Sequence, residues 1–243
     1  MPGVRVFCNQ VIPTTHWEHD YVTISSKLQR KSPLPTIASF DLLNPLDNSG
    51  NGYRVEPRGG QINPWGLHYD NGARPSVTTL VKPGQGAVSF AVAFKLDAAN
   101  RYINIISNRT KGVGFNFYYS GGFYMSYIYP SGTPGTIAGG GAIVAKVGKW
   151  YVAVGIFDPV NKTASVRISD AGLQYGTIGP SFPGNTSLDA AVSIGGDPNG
   201  LTTSSMHGDI AFVAYYDGAF GPEQRDLMAD VGLEVLGDRG FTG

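Results

Sequence analysis

Three groups of residues in this 243-residue chain have types and spacings that could do chemistry, and each implies a different kind. The densest is His16-Trp17-Glu18-His19-Asp20. Its two histidines stand one helical turn apart and would supply two zinc ligands if a third came from elsewhere. No other Cys/His pairing has metal spacing, and Cys8 is the lone cysteine. The ligand count is therefore short. The group reads as contact residues on a polar arm, together with the basic stretch holding Lys27, Arg30 and Lys31.

The second group is the stretch PLDNSGNGY, Pro45 to Tyr53. Counted as a calcium loop from Asp47, it puts Ser49 at the third position, Asn51 at the fifth and the glycine Gly52 at the sixth. The bidentate glutamate expected at the twelfth is replaced by Arg58. An ion here would need an acid from another loop, such as Asp197 or Asp70. Otherwise the stretch is a glycine-rich turn in which Asp47 and Asn51 bond to the backbone, and that reading is preferred.

The third group is aromatic. In GVGFNFYYSGGFYMSYIYP the residues Phe115, Phe117 and Tyr119 share one face of a strand, and Phe123, Met125, Tyr127 and Tyr129 share one face of the next. These large side chains are expected to face the core. Tyr118 and Tyr124 would then share the other face, with Asn116 and Ser126 beside them. Tyrosine rings with amide and hydroxyl neighbours suit stacking on sugars with polar fixing of their hydroxyls, and suit protein interfaces equally well.

Catalytic patterns are weak by comparison. Glycoside hydrolysis needs two carboxylates flanking the bond, placed on one strand face in the retaining β-glucanases. Of Glu18, Glu56, Glu223 and Glu234, Glu18 alone has a carboxylate two residues away, at Asp20. The chain lacks a Gly-x-Ser-x-Gly elbow and a Walker loop.

The elements that must position these groups are strands. The chain has 34 Gly and 16 Pro, and its 12% aromatic content leans to Tyr and Phe, a composition of short strands joined by tight turns. In VSFAVAFKL, bulky Val88, Phe90, Val92 and Phe94 alternate with small Ser89, Ala91 and Ala93. TIASFDLL, WGLHYD, SVTTLV, RYINIISN, KWYVAVGIFD, TASVRIS, AAVSIGG and GDIAFVAYYD continue the series, with Ser120-Gly121-Gly122 as a hairpin tip. Helix is expected only at GPEQRDLMADVG, with Pro222 in the first turn and Leu227 and Met228 packing inward. Residues 1–34, punctuated by proline, are read as an extended arm. Residues 35–243 are read as one domain.

In order along the chain, IASFDLL with LDNSGNGY, GLHYDNG with AVSFAVAFKL, KWYVAVGIFDPVNKTASVRISDAG, and VSIGGDPNG with HGDIAFVAYYDGAFGPEQRDLM resemble the laminin-G-like group of concanavalin A-like lectin/glucanase jelly rolls. The resemblance runs over about residues 36–230. It implies an all-β jelly-roll sandwich of two antiparallel sheets with one short C-terminal helix. The resemblance also implies that a calcium site is open to this chain, since some members of the group bind calcium on this face of the sandwich.

Charge and export signals narrow the function further. Charged residues are 15% of the chain and the net charge is zero, which disfavours nucleic acid and anionic membrane as partners. No segment reads as a membrane span or Sec-type signal, and one cysteine allows no internal disulfide. A laminin-G-like module with these properties is expected to be a non-enzymatic bacteriophage virion protein. It would assemble in the host cytoplasm as a symmetric oligomer with other virion proteins. Capsid decoration or a tail-associated place on the virion surface is expected, with surface polysaccharide as a possible ligand and no resident cofactor beyond an optional calcium. The alternatives are a free carbohydrate-binding lectin and, more remotely, a glycoside hydrolase.

Overall fold

The computed structural model describes residues 27–70, 77–79, 81, 86–99, 102–108, 114–128, 134–140, 143–161, 163–169, 172–177, 191–196 and 206–241. Its first element is a short helix, α1 (Lys27–Arg30), followed by β1 (Thr36–Phe40), β2 (Val55–Glu56), β3 (Gly60–Asn63), β4 (Gly66–Tyr69) and β5 (Val77–Thr79). The long strand β6 (Val88–Leu96) leads to β7 (Ile103–Ser107), the hairpin β8 (Gly114–Tyr119) and β9 (Phe123–Ile128), and β10 (Pro134–Gly140). Then come β11 (Trp150–Asp158), β12 (Thr163–Ile168), β13 (Gly172–Thr177), β14 (Ser193–Ile194), β15 (Gly208–Asp217) and the helix α2 (Pro222–Asp238).

The strands form two antiparallel sheets. An eight-stranded sheet runs β13-β12-β11-β6-β15-β4-β3, with β1 also paired to β15, and a seven-stranded sheet runs β10-β9-β8-β7-β14-β5-β2. β15 is long enough to serve two partners along one edge. Its first residues pair with β4 and its later ones with β1. The expected jelly-roll sandwich is thus present.

Alternation along β6 explains how the layers stack. Phe90, Val92 and Phe94 enter the core between the sheets, where Phe94 meets Phe117 and Phe123 edge-on at 5.9 and 5.5 Å. Ala91 and Ala93 face the other way and form the small-residue floor on which α2 lies, with Val152, Phe212 and Ala214. The floor must be flat because the helix comes close: a Cβ added to Gly232 would stand 2.6 Å from Val152 Cγ1. Pro222 opens α2 as expected, and the Gln224 side chain accepts the Gly221 N–H at 2.8 Å. Met228 packs inward, but Leu227 is exposed, because the helix runs on to Asp238 and its apolar stripe passes through Met228, Val231 and Leu236 instead.

The arm also needs correction. Its last residues, 27–34, are not extended: Lys27–Arg30 form α1, Leu28 is buried beside α2, and Leu34 packs against the same cluster. Lys27 Nζ bonds Glu234 and Asp238 at 2.7 and 2.6 Å, so this cation anchors α1 to α2. Among the described residues no helix is long and apolar enough to cross a membrane.

Candidate functional site

The outer face of the seven-stranded sheet follows from the alternation in β8. Phe115, Phe117 and Tyr119 point into the core as expected, with Phe123 and Met125 of β9. Asn116 and Tyr118 therefore point outward, and pairing carries that face across the sheet. Asn116 lies opposite Ser126 on one side and Ser107 on the other, and Ser107 opposite Ser193. The register continues to Thr136 of β10 at one end and to Thr78 and Glu56 at the other. Every strand of this sheet thus contributes a hydroxyl, amide or carboxylate residue to one row.

A second row holds the rings. Tyr118 lies opposite Asn104 of β7 and Tyr124 of β9, and Tyr124 opposite Gly139 of β10. The Tyr118 and Tyr124 rings stack at 5.5 Å and 21°, and Tyr102 closes on Tyr118 from the other side at 4.6 Å. The four residues singled out from sequence are therefore brought together, but they differ in access. Tyr118 and Tyr124 are half-buried. Asn116 and Ser126 are only 1% and 6% exposed, so they act from beneath rather than as free contact groups. Asn116 Nδ2 donates to Tyr102 Oη at 2.7 Å and to Asn104 Oδ1 at 2.6 Å, while its Oδ1 is buried without a partner. Asn108 has a similar imbalance: its Oδ1 accepts the Phe115 N–H at 2.7 Å and its Nδ2 is unpaired. Each unmet group costs about 1–3 kcal/mol.

A second polar cluster, on the eight-stranded sheet beyond the end of α2, was not anticipated. Asp209 of β15 pairs with His68 of β4 and Lys95 of β6 in register, and accepts from His68 Nδ1 at 2.8 Å and Lys95 Nζ at 2.5 Å. His68 Nε2 is 3.3 Å from Asp70, and Lys95 lies over the Trp150 ring at 5.5 Å. Burial pulls the imidazole pKa down, but the bonds and charges of Asp209 and then Asp70 more than reverse this, leaving it above the ordinary histidine value. His68, Asp97 and Asp209 come near enough to share a cation. The Lys95 ammonium already neutralises the buried carboxylate and opposes one. Residues 68, 95 and 209 lie far apart in sequence, so only the strand pairing could have revealed the cluster.

The PLDNSGNGY stretch is a turn clamp. Asp47 Oδ1 accepts the Ser39 and Ser49 N–H groups at 2.8 Å each, and Ser49 Oγ donates to Oδ2 at 2.5 Å. Asn51 Nδ2 donates to the carbonyls of Thr36 and Ile37 at 3.1 and 2.8 Å. Asp47, Ser49 and Asn51 do come together, but as fasteners of β1. One carboxylate with both oxygens engaged by protein donors does not fit a calcium cradle. Arg58 turns to Glu56 at 3.1 Å. Asp197, proposed to complete the site, lies outside the described residues, as do His16, Trp17, Glu18 and His19.

Comparison with known proteins agrees with this architecture. A laminin-G-like profile described as concanavalin A-like lectin/glucanases superfamily matches residues 68–224. No curated protein matches the chain at significant sequence similarity. Among solved structures, domain 4 of AbnA, an extracellular arabinanase from Geobacillus stearothermophilus solved with arabinotriose, superposes with a TM-score of 0.62 at 14% identity, over 81% of this chain and 98% of that one. The binding domain of botulinum neurotoxin serotype D gives 0.59 at 12% identity, over 81% of this chain and 50% of that one. Trypanosoma rangeli sialidase bound to 2,3-difluorosialic acid gives 0.55 at 10% identity, over 82% of this chain and 33% of that one. At such identities the likeness is one of fold. The profile match covers well over half of the sequence, so the chain belongs to the concanavalin A-like lectin/glucanase superfamily.

Proposed function

We propose that this chain is a non-catalytic glycan-binding module that works as an adhesive or structural component of a bacteriophage particle. The observation that carries the binding reading is the outer face of the seven-stranded sheet. It presents tyrosines over a row of hydroxyl and amide groups, and it keeps a buried Asn116 oxygen without a protein partner. Ring C–H groups of a saccharide suit the half-buried tyrosine faces, with the buried amide and hydroxyl row beneath them holding the rings in place. The similar domains include one solved with arabinotriose, which favours a saccharide over a protein ligand.

A non-enzymatic role draws support from the same face. Among the described residues its one carboxylate is Glu56, which is exposed and paired with Arg58. Acid–base hydrolysis of a glycoside needs two. The particle assignment draws on the single cysteine, which allows folding in the host cytoplasm, and on the low charge of the chain.

Titration on a glycan array, with a reducing-end assay run in parallel, tests the reading. Binding without release of new reducing ends is expected, and glycan cleavage would replace it with the hydrolase. Sedimentation of purified particles with immunodetection tests location. Recovery of the chain solely in the particle-free supernatant would leave a free lectin.

A further inference from the structure

We infer that the sugar subsite is a slot on the β10 side of Tyr124, floored by Gly139, and that it takes a neutral saccharide ring by its apolar C–H face. This rests on the glycan-binding reading above. The tyrosine stack itself gives the location. Tyr102, Tyr118 and Tyr124 stand side by side across three neighbouring segments, so Tyr118 has ring contacts on both sides and offers little face to a ligand. Tyr124 ends the stack. Among the described residues its ring contact is Tyr118, at 5.5 Å and 21°, and the strand on its other side is β10.

The residue that pairs with Tyr124 on β10 is Gly139, followed by Gly140 opposite Phe123. Cross-strand neighbours on one face have Cβ atoms about 4.5–5.5 Å apart, and any side chain at Gly139 would stand against the ring. Glycine puts no side chain there. Access points to the same spot: Asn104, Ser107, Asn116 and Ser193 are buried along the middle of the sheet, whereas Tyr124 is partly exposed. The next outward pair in the register beside Tyr124 and Gly139 is Ser126 with Thr136.

Charge selects the ligand class. The segments GFNFYY, FYMSYI and PGTIAGG, which make β8, β9 and β10, contain no Asp, Glu, Lys or Arg. A carboxylated sugar buried here would lose water without gaining a cation or a charge-assisted donor pair. A neutral ring has no such cost.

The test uses the full chain and calorimetric titration with arabinotriose, cellotriose, lactose and α2,6-sialyllactose as probes. At least one neutral probe is expected to bind, with sialyllactose no tighter than lactose. Gly139→Val fills the slot and Tyr124→Ala removes its wall. Each is expected to weaken the neutral ligand by about tenfold or more, near the value of one aromatic contact, while Tyr124→Phe stays within about threefold of wild type. Unchanged affinity in a folded Gly139→Val or Tyr124→Ala protein would remove the slot while leaving glycan binding intact. Tighter binding of sialyllactose would overturn the neutral class. If wild type binds none of these probes and nothing on a wide glycan array, the underlying reading falls and this one with it.

Discussion

The outer faces of the two sheets make opposite use of the same alternation. On the eight-stranded sheet, Ala91, Ala93, Val152, Ala211, Phe212 and Ala214 make an apolar floor, and α2 covers it. On the seven-stranded sheet the equivalent positions are Asn104, Ser107, Asn116, Tyr118, Tyr124, Ser126 and Ser193. The first face gains stability by burying hydrocarbon. The second leaves amide groups unpaired where apolar residues would pack with less cost. A face that sacrifices stability in this way is one where a requirement other than packing decides the residue types, and the proposed glycan binding would be such a requirement.

Substitutions can break or sharpen that contrast. The largest effect is expected from Phe212→Ala, under α2: about 3–5 kcal/mol of unfolding free energy, by denaturant titration. A loss below about 1 kcal/mol would mean that the helix-covered face is not a core. Asp47→Ala removes a carboxylate that accepts three hydrogen bonds and is expected to cost about 2–3 kcal/mol, with no change in Tm when EDTA is added to wild type. A chelator-sensitive Tm would restore a calcium ion to the turn.

On the polar face the balance should invert. Asn116→Ala is expected to cost about 1 kcal/mol or less, because an unmet oxygen disappears along with the two donated bonds. Glycan affinity should nevertheless fall, since Tyr102 loses its support. A large stability loss with unchanged affinity would make that face structural. The smallest effect belongs to His68. Its folded pKa is raised, so its stabilising contribution is complete below about pH 6.5, the ordinary value, and fades as pH rises through the folded pKa. His68→Gln should flatten that part of the stability–pH curve, and an unaltered curve would show that the Asp209 pairing does not matter.

The fold was legible because alternation and turn chemistry are local. Phe115, Phe117 and Tyr119 announce an inward face, and Ser120-Gly121-Gly122 a hairpin tip, within a dozen residues. β10 and β13 were missed because PGTIAGG and GLQYGT carry too many glycines to show a period of two. GQIN passed for a turn, although its pairing with β4 makes it β3. The four residues of the tyrosine site were found because β8 and β9 are a hairpin and bring them together in sequence as well as space. Ser193 was not, because its partners Ser107 and Thr78 lie far away in sequence, and Tyr102 and Asn104 were not, because the bulge between Asn104 and Ile106 breaks the alternation of β7. The burial of Asn116 was equally invisible, since it depends on everything that packs around the strand.

The ion pairs that fasten α1 to α2 have a geometric consequence for attachment. Lys27 touches Asp238, so the chain enters and leaves the described body within the length of one side chain, on the side covered by α2. The tyrosine row is on the far side of the sandwich. A partner that held the module at α1 and the end of α2 would therefore stand on the helix side, opposite the tyrosine row. Several copies held on that side by one platform would display their tyrosine rows together, and if each row binds weakly the single contacts would add up to firm attachment.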